Sequence, residues 1–179
     1  MSAPSTAVSP PPRRVTPVRA VLGVVVLGLV ALWVYVLYLA IGPGRQDPPD
    51  RLADPDFAPA AQARCDAAHD EVAKLPTASA TRSAEERAAV IEAANAIFAE
   101  MLDDLAALAP EGEEGEIVAA WLEDWRTYLE DRARYADALR ADPTAPFLVT
   151  SRQGDQVTEY MDAFAADNRM PACGTPLDV

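Results

Sequence analysis

Two kinds of hydrophobic pattern divide this chain. From Ala20 to Ile41 there is no alternation: 22 consecutive residues carry no charge and are almost wholly apolar. At about 1.5 Å of rise per residue such a run makes a helix about 33 Å long, close to the roughly 30 Å hydrocarbon core of a bilayer. A helix apolar on every side keeps no face for water, so its length and pattern predict a membrane span over residues 18–41. Pro17 suits the first turn with Thr16 as cap, and Gly42-Pro43-Gly44 ends the helix. Trp33, Tyr35 and Tyr38 lie in its C-terminal half, with Tyr38 placed for the membrane interface. The run exceeds the apolar region of a cleavable secretion signal, and Pro43 disfavours cleavage just before it. An uncleaved signal-anchor is expected.

Beyond residue 58 the apolar positions recur every three or four residues, the period of amphipathic helices. A first helix opens with Pro59 in its first turn and runs to about Leu75, with Ala61, Cys65, Ala68, Val72 and Leu75 on one face. Ser83 and Glu86 form a capping box before a second helix. Its stripe is Val90, Ile91, Ala94, Ile97, Phe98, Met101, Leu105 and Leu108, with Asn95 at the border. The third helix spans about Glu114 to Arg140 and carries Val118, Trp121, Trp125, Tyr128, Arg132, Tyr135 and Leu139 on one stripe, widened by Leu122, Leu129 and Ala136. After the Pro-rich break at 142–146 comes a short extended piece, Phe147–Val149. Gln153-Gly-Asp then reads as a turn, with Asp155 as cap of a fourth helix reaching about Asn168. Val157, Tyr160, Met161 and Phe164 are expected to face inward.

The fold class expected is therefore all-α: one N-terminal transmembrane helix followed by a small four-helix domain with an irregular, disulfide-tied C-terminal tail. Residues 1–17 are Pro-, Ser- and Ala-rich and are expected to form a disordered cytoplasmic tail. Residues 42–58 are rich in Pro and Asp and read as a stiff spacer. The helical domain is expected over 59–179.

Charge adds orientation and removes one class of partner. Residues 1–19 hold Arg13, Arg14 and Arg19 and no acid, whereas residues 42–179 hold all 28 acids against 12 bases. With a net charge of -13 the chain lacks the basic face that phosphate backbones require, so no nucleic-acid partner is expected. The arginines before the span, together with two cysteines suited to an oxidising compartment, favour the N-terminus inside and the domain outside the cytoplasmic membrane.

Candidate chemistry is sparse. Cys65 lies on an apolar helix face and Cys173 in a tail with little else to fix it, so a Cys65–Cys173 disulfide is expected. Cys65 and His69 share a helix face four residues apart, which keeps a metal or thiol–imidazole site with Cys173 as the rival reading, and His69 as a bystander if the disulfide forms. His69 is the single imidazole, and no nucleophile elbow, zincin pattern or phosphate loop is present. No catalytic residue, metal site or cofactor is expected. Glu111–Glu116 and the Asp103-Asp104 and Glu113-Glu114 pairs read as solvated acids. Trp121, Trp125, Tyr128, Arg132 and Tyr135 fit either a core or a ligand cleft, because bulky rings serve both. A buried Arg132 has to pair with a carboxylate, stack on a ring or reach out to water.

The stretches Trp121–Ala136 and Val157–Cys173 resemble an actinobacterial group with one N-terminal membrane helix and a small helical extracytoplasmic domain without assigned activity. One Lys, Lys74, against 14 Arg is consistent with a high-GC genome. The resemblance implies architecture and location and supplies no catalytic residue. The expected role is an interaction or structural module of the cell envelope, held in the lipid bilayer and facing an envelope protein partner. The alternative is a small-molecule or ion-binding sensor using the aromatic stripe and Arg132.

Overall fold

A computed structural model describes residues 17–41 and 48–177. The tail expected over 1–17, apart from Pro17, and the first part of the expected spacer, 42–47, lie outside the described residues. The chain divides into two compact units, Met1–Asp47 and Pro48–Val179.

In the first unit, α1 is Pro17–Ile41, beginning at the proline that presets a helical φ. Its stretch Arg19–Ala40 is long and apolar enough to cross a membrane. Val24, Val25, Val26 and Leu27, which together make a full turn of the helix, are all exposed.

The second unit is built from α2 (Phe57–Val72), α3 (Ala84–Leu108), α4 (Glu113–Ala141) and α5 (Val157–Asp167). A two-stranded hairpin, β1 (Ser151–Arg152) with β2 (Asp155–Gln156), precedes α5, and a 3-10 turn, Pro171–Cys173, follows it. The expected all-α class holds. α3 and α4 form the most extensive helix pair and run antiparallel. At their open end Arg140 takes both carboxylate oxygens of Glu92, at 2.7 and 2.8 Å, while its Nε reaches Glu85 at 3.2 Å. At the closed end, the link before α4 is tight enough that a Cβ on Gly115 would lie 2.2 Å from the Pro110 carbonyl oxygen, so no larger residue fits there.

α3 starts where its cap predicts. Ser83 Oγ accepts the Glu86 amide at 3.1 Å, and the Glu86 carboxylate accepts the Arg82 amide at 2.7 Å, one residue before the usual reciprocal partner. Its buried stripe is Ala88, Ile91, Ala94, Phe98, Met101, Leu102 and Leu105. Leu108 is exposed, because α3 ends there and the chain turns away.

Three boundaries differ from expectation. The helical unit begins at Pro48, not residue 59. The Leu52 amide donates to Asn168 Oδ1 at 2.8 Å, Asn168 Nδ2 returns a bond to the Asp50 carbonyl at 3.0 Å, and the Glu114 carboxylate accepts the Ala53 and Asp54 amides at 2.7 and 3.2 Å. In this irregular Pro-rich segment the Leu52, Ala53 and Asp54 amides have no backbone partner, which leaves them for these side-chain acceptors. Second, α2 starts at Phe57, which is buried, because Asp54 Oδ1 accepts the Asp56 and Phe57 amides at 2.7 and 3.0 Å. Third, Asp155 does not cap α5. It lies in β2, across a two-residue turn whose Gln153 (φ 55°) and Gly154 (φ 105°) both have positive φ, the requirement of a tight right-twisted hairpin.

Candidate functional site

α4 carries the whole expected stripe, and the structure packs it inward. Trp121, Trp125, Tyr128, Arg132 and Tyr135 are all buried, with Arg132 at 0 % exposure. Ring contacts link them across elements. Trp121 stacks on Phe164 of α5 at 4.9 Å, Trp125 meets Phe98 of α3 at 5.7 Å, and Phe147 inserts beside both Tyr128 (5.9 Å) and Tyr135 (5.2 Å). All five side chains belong to the core, and Trp121 alone among them also borders a small cleft described below. The reason is volume: α2 offers only Phe57, Ala61, Cys65 and Ala68 as buried side chains, so the rings of α4 fill the space that those small residues leave.

Arg132 lies against two rings. Its guanidinium carbon lies 5.5 Å from the Phe98 ring centre and 5.7 Å from that of Tyr128, and its Nε donates to Asn95 Oδ1 at 2.6 Å. Asn95 is itself fixed by a bond from Nδ2 to the Leu129 carbonyl at 3.1 Å. An arginine so held ties α3 to α4.

Cys65 and Cys173 are joined in a disulfide, with Cα atoms 5.2 Å apart and both residues fully buried. The sulfurs are thereby withdrawn as thiolate ligands or nucleophiles. His69 is more than a bystander. Its Nε2 donates to the Ala172 carbonyl at 2.8 Å, and its ring meets Phe98 edge-on at 5.6 Å. Trp125 Nε1 donates to the Cys173 carbonyl at 3.2 Å, Gln62 Oε1 accepts the Ala172 amide at 3.1 Å, and Asp162 Oδ1 accepts the Thr175 amide at 2.6 Å. The tail is therefore pinned at several points. Among the described residues no group of three or more His, Cys, Asp or Glu is arranged to hold a metal ion.

Two residues that sequence reasoning missed are the buried aspartates of α4. Asp131 accepts the amide and hydroxyl of Thr150 and pairs with Arg134. Asp124 accepts Arg152 Nη2 at 3.0 Å, and the Arg152 guanidinium lies over the Tyr160 ring at 4.3 Å. The signal was present in their spacing: each lies three or four residues from Tyr128, on the edge of the same stripe. Burial pushes the Asp124 carboxyl above the ordinary range, against the opposing pull of Arg152. Trp121, Asp124, Arg152, Tyr160 and Phe164 border a small cleft of about 220 Å³. This carboxylate–guanidinium pair straps the hairpin to α4 and offers hydrogen-bonding capacity, but no paired acid and base.

No family model, curated protein or solved structure matches the chain.

Proposed function

We propose that this is a single-pass membrane protein whose helical unit lies outside the cytoplasmic membrane, with the N-terminus inside, and serves there as an interaction or structural module of the cell envelope. The observation that carries the reading is the Cys65–Cys173 disulfide at the centre of the core, in a chain whose preceding helix is apolar on every side. A disulfide between fully buried sulfurs suits an oxidising compartment, and such a helix suits lipid. Arg13 and Arg14 before α1 and Arg19 in its first turn favour retention of the N-terminus in the cytoplasm. The domain works by presenting a rigid folded surface to an envelope partner. Its most chemically varied side chains, Arg132, Asp131 and His69, are committed to holding helices and tail together.

The test is protease added to intact spheroplasts carrying an N-terminal epitope. The expected outcome is loss of the domain with the epitope retained. A domain that stays intact until the membrane is lysed refutes the orientation. An epitope recovered in the soluble fraction refutes the anchor.

A further inference from the structure

Arg87 is out of balance with its surroundings. Residues 42–179 carry more than twice as many acids as bases. Yet among the described residues no carboxylate lies within ion-pair distance of Arg87, and its buried Nε has no hydrogen-bond partner. The acids beside it in sequence are engaged elsewhere, Glu85 with Arg140 and Glu86 with the Arg82 amide. The positions three and four residues away on its helix face are Ser83, Ala84, Val90 and Ile91, none of them acidic. The contact it does make is with Tyr135, whose ring centre lies 5.5 Å from the guanidinium carbon. The Nε is enclosed, whereas the residue as a whole is only half-buried, so an incoming anion would meet the terminal guanidinium nitrogens, for which the described residues supply no acceptor.

Such an anion has a place to sit. Arg87 lines a pocket of about 450 Å³ between the end of α2, the loop that follows it and the first half of α3. Its walls include Val72, Leu75, Pro76 and Val90, with Ala78 on the exposed loop side. The volume falls within the usual range for small-molecule sites, and the walls are mainly apolar, with Thr77 and Ser79 on the loop, Leu177 of the tail at the rim and Arg87 as the one charged group. We propose that this pocket binds a small carboxylate with an apolar body. The carboxylate lies on the Arg87 guanidinium and the hydrocarbon part against Val72, Leu75, Pro76 and Val90. One guanidinium neutralises a monoanion. A polyanion would need further cations that these walls do not supply, in a strongly acidic unit. Tyr135 holds the guanidinium over its face beforehand, so less side-chain freedom is lost when the ligand binds. The inference goes beyond the proposed location and partner, and its test does not depend on them.

The test uses the full chain in lipid nanodiscs, with empty nanodiscs as blank, titrated calorimetrically with 3-phenylpropionate and with its neutral analogue 3-phenylpropionamide. Saturable binding of the carboxylate is expected, weaker by about tenfold or more for the amide and for Arg87→Leu, as loss of one charge-assisted contact implies. Arg87→Lys should retain part of the affinity. Ala78→Phe narrows the pocket from the exposed loop without touching the charge, and should weaken binding even if Arg87→Leu fails to fold by circular dichroism. The proposal is overturned by carboxylate and amide binding equally, by an Arg87→Leu protein that folds and binds as tightly as the parent, by Ala78→Phe binding unchanged, or by no saturable binding at millimolar 3-phenylpropionate.

Discussion

Asp131 holds Thr150 by both of its donors: the Thr150 amide and its hydroxyl each lie 2.7 Å from a different oxygen of the buried carboxylate. Seven residues earlier on the same helix, Asp124 holds Arg152. Two carboxylates one heptad apart on α4 thus fasten the segment that leads into the hairpin and α5, and the Thr150 carbonyl in turn accepts the Val157 amide at 2.9 Å.

Asp131→Ala should therefore leave the Thr150 amide without its acceptor, at a cost of about 1 to 3 kcal/mol for a buried polar group. Local release should precede global unfolding, so trypsin should cut faster after Arg152 in the variant than in the parent. Equal cutting rates and equal unfolding midpoints would show that the clasp does not secure the hairpin.

Asp124 gives a pH dependence of definite sign. Burial raises its folded-state pKa, so the folded protein binds this proton more tightly than the unfolded chain does. Its favourable contribution is present at acid pH and is lost as pH rises from the ordinary carboxylate value through the raised one. Asp124→Asn should remove that slope from a plot of unfolding midpoint against pH in the acid range. An unchanged slope would assign it to other groups.

The disulfide closes a loop spanning a sequence separation of 108, for which chain entropy predicts about 4 to 5 kcal/mol as an upper figure. Cys65→Ser with Cys173→Ser should lower the unfolding midpoint while far-ultraviolet circular dichroism stays helical. Because His69, Gln62, Trp125 and Asp162 also bind the tail, carboxypeptidase should trim the reduced protein more slowly than a fully frayed segment. Thiol labelling of both cysteines in the unreduced native protein would contradict the bond.

Arg132→Leu should cost about 1 to 3 kcal/mol, since Asn95 Oδ1 loses its donor in a buried setting. Arg132→Lys should recover little of it, because lysine has no Nε–H at the position that donates to Asn95 and its compact ammonium lacks the planar group that contacts both Phe98 and Tyr128. Recovery of full stability by Lys, read from denaturant midpoints, would show that charge alone is what the site needs.

A fragment starting at Pro48 should be more stable than one starting at Phe57, because the shorter piece loses Leu52 and leaves Asn168 and Glu114 without their backbone partners. Asn168→Ala in the longer fragment should move its urea midpoint toward that of the shorter one. Identical midpoints for the two fragments would return Pro48–Asp56 to the role of spacer.

The sequence by itself determined what depends on periodicity and local chemistry. The long apolar run set α1, the three- and four-residue spacing set the four helices and their inward faces, and Ser83 with Glu86 set the start of α3. The lone tail cysteine set its pairing, because few contacts near Cys173 in the sequence could fix that segment. Local rules failed where a side chain's partner lies far away along the chain. Glu114 reads as a solvated acid near a helix start, yet it accepts amides 60 and 61 residues earlier. Asp155 reads as a cap, but the Gln153-Gly154 turn pairs it into a hairpin, which moves the helix start to Val157. The choice between core and cleft for Trp121, Trp125, Tyr128, Arg132 and Tyr135 could not be read from one helix, since an aromatic stripe looks the same in both. Tertiary structure packed them inward, because the Ala-rich face of α2 leaves a volume that those rings fill with Phe147 and Phe164, save for the small cleft that remains beside Trp121.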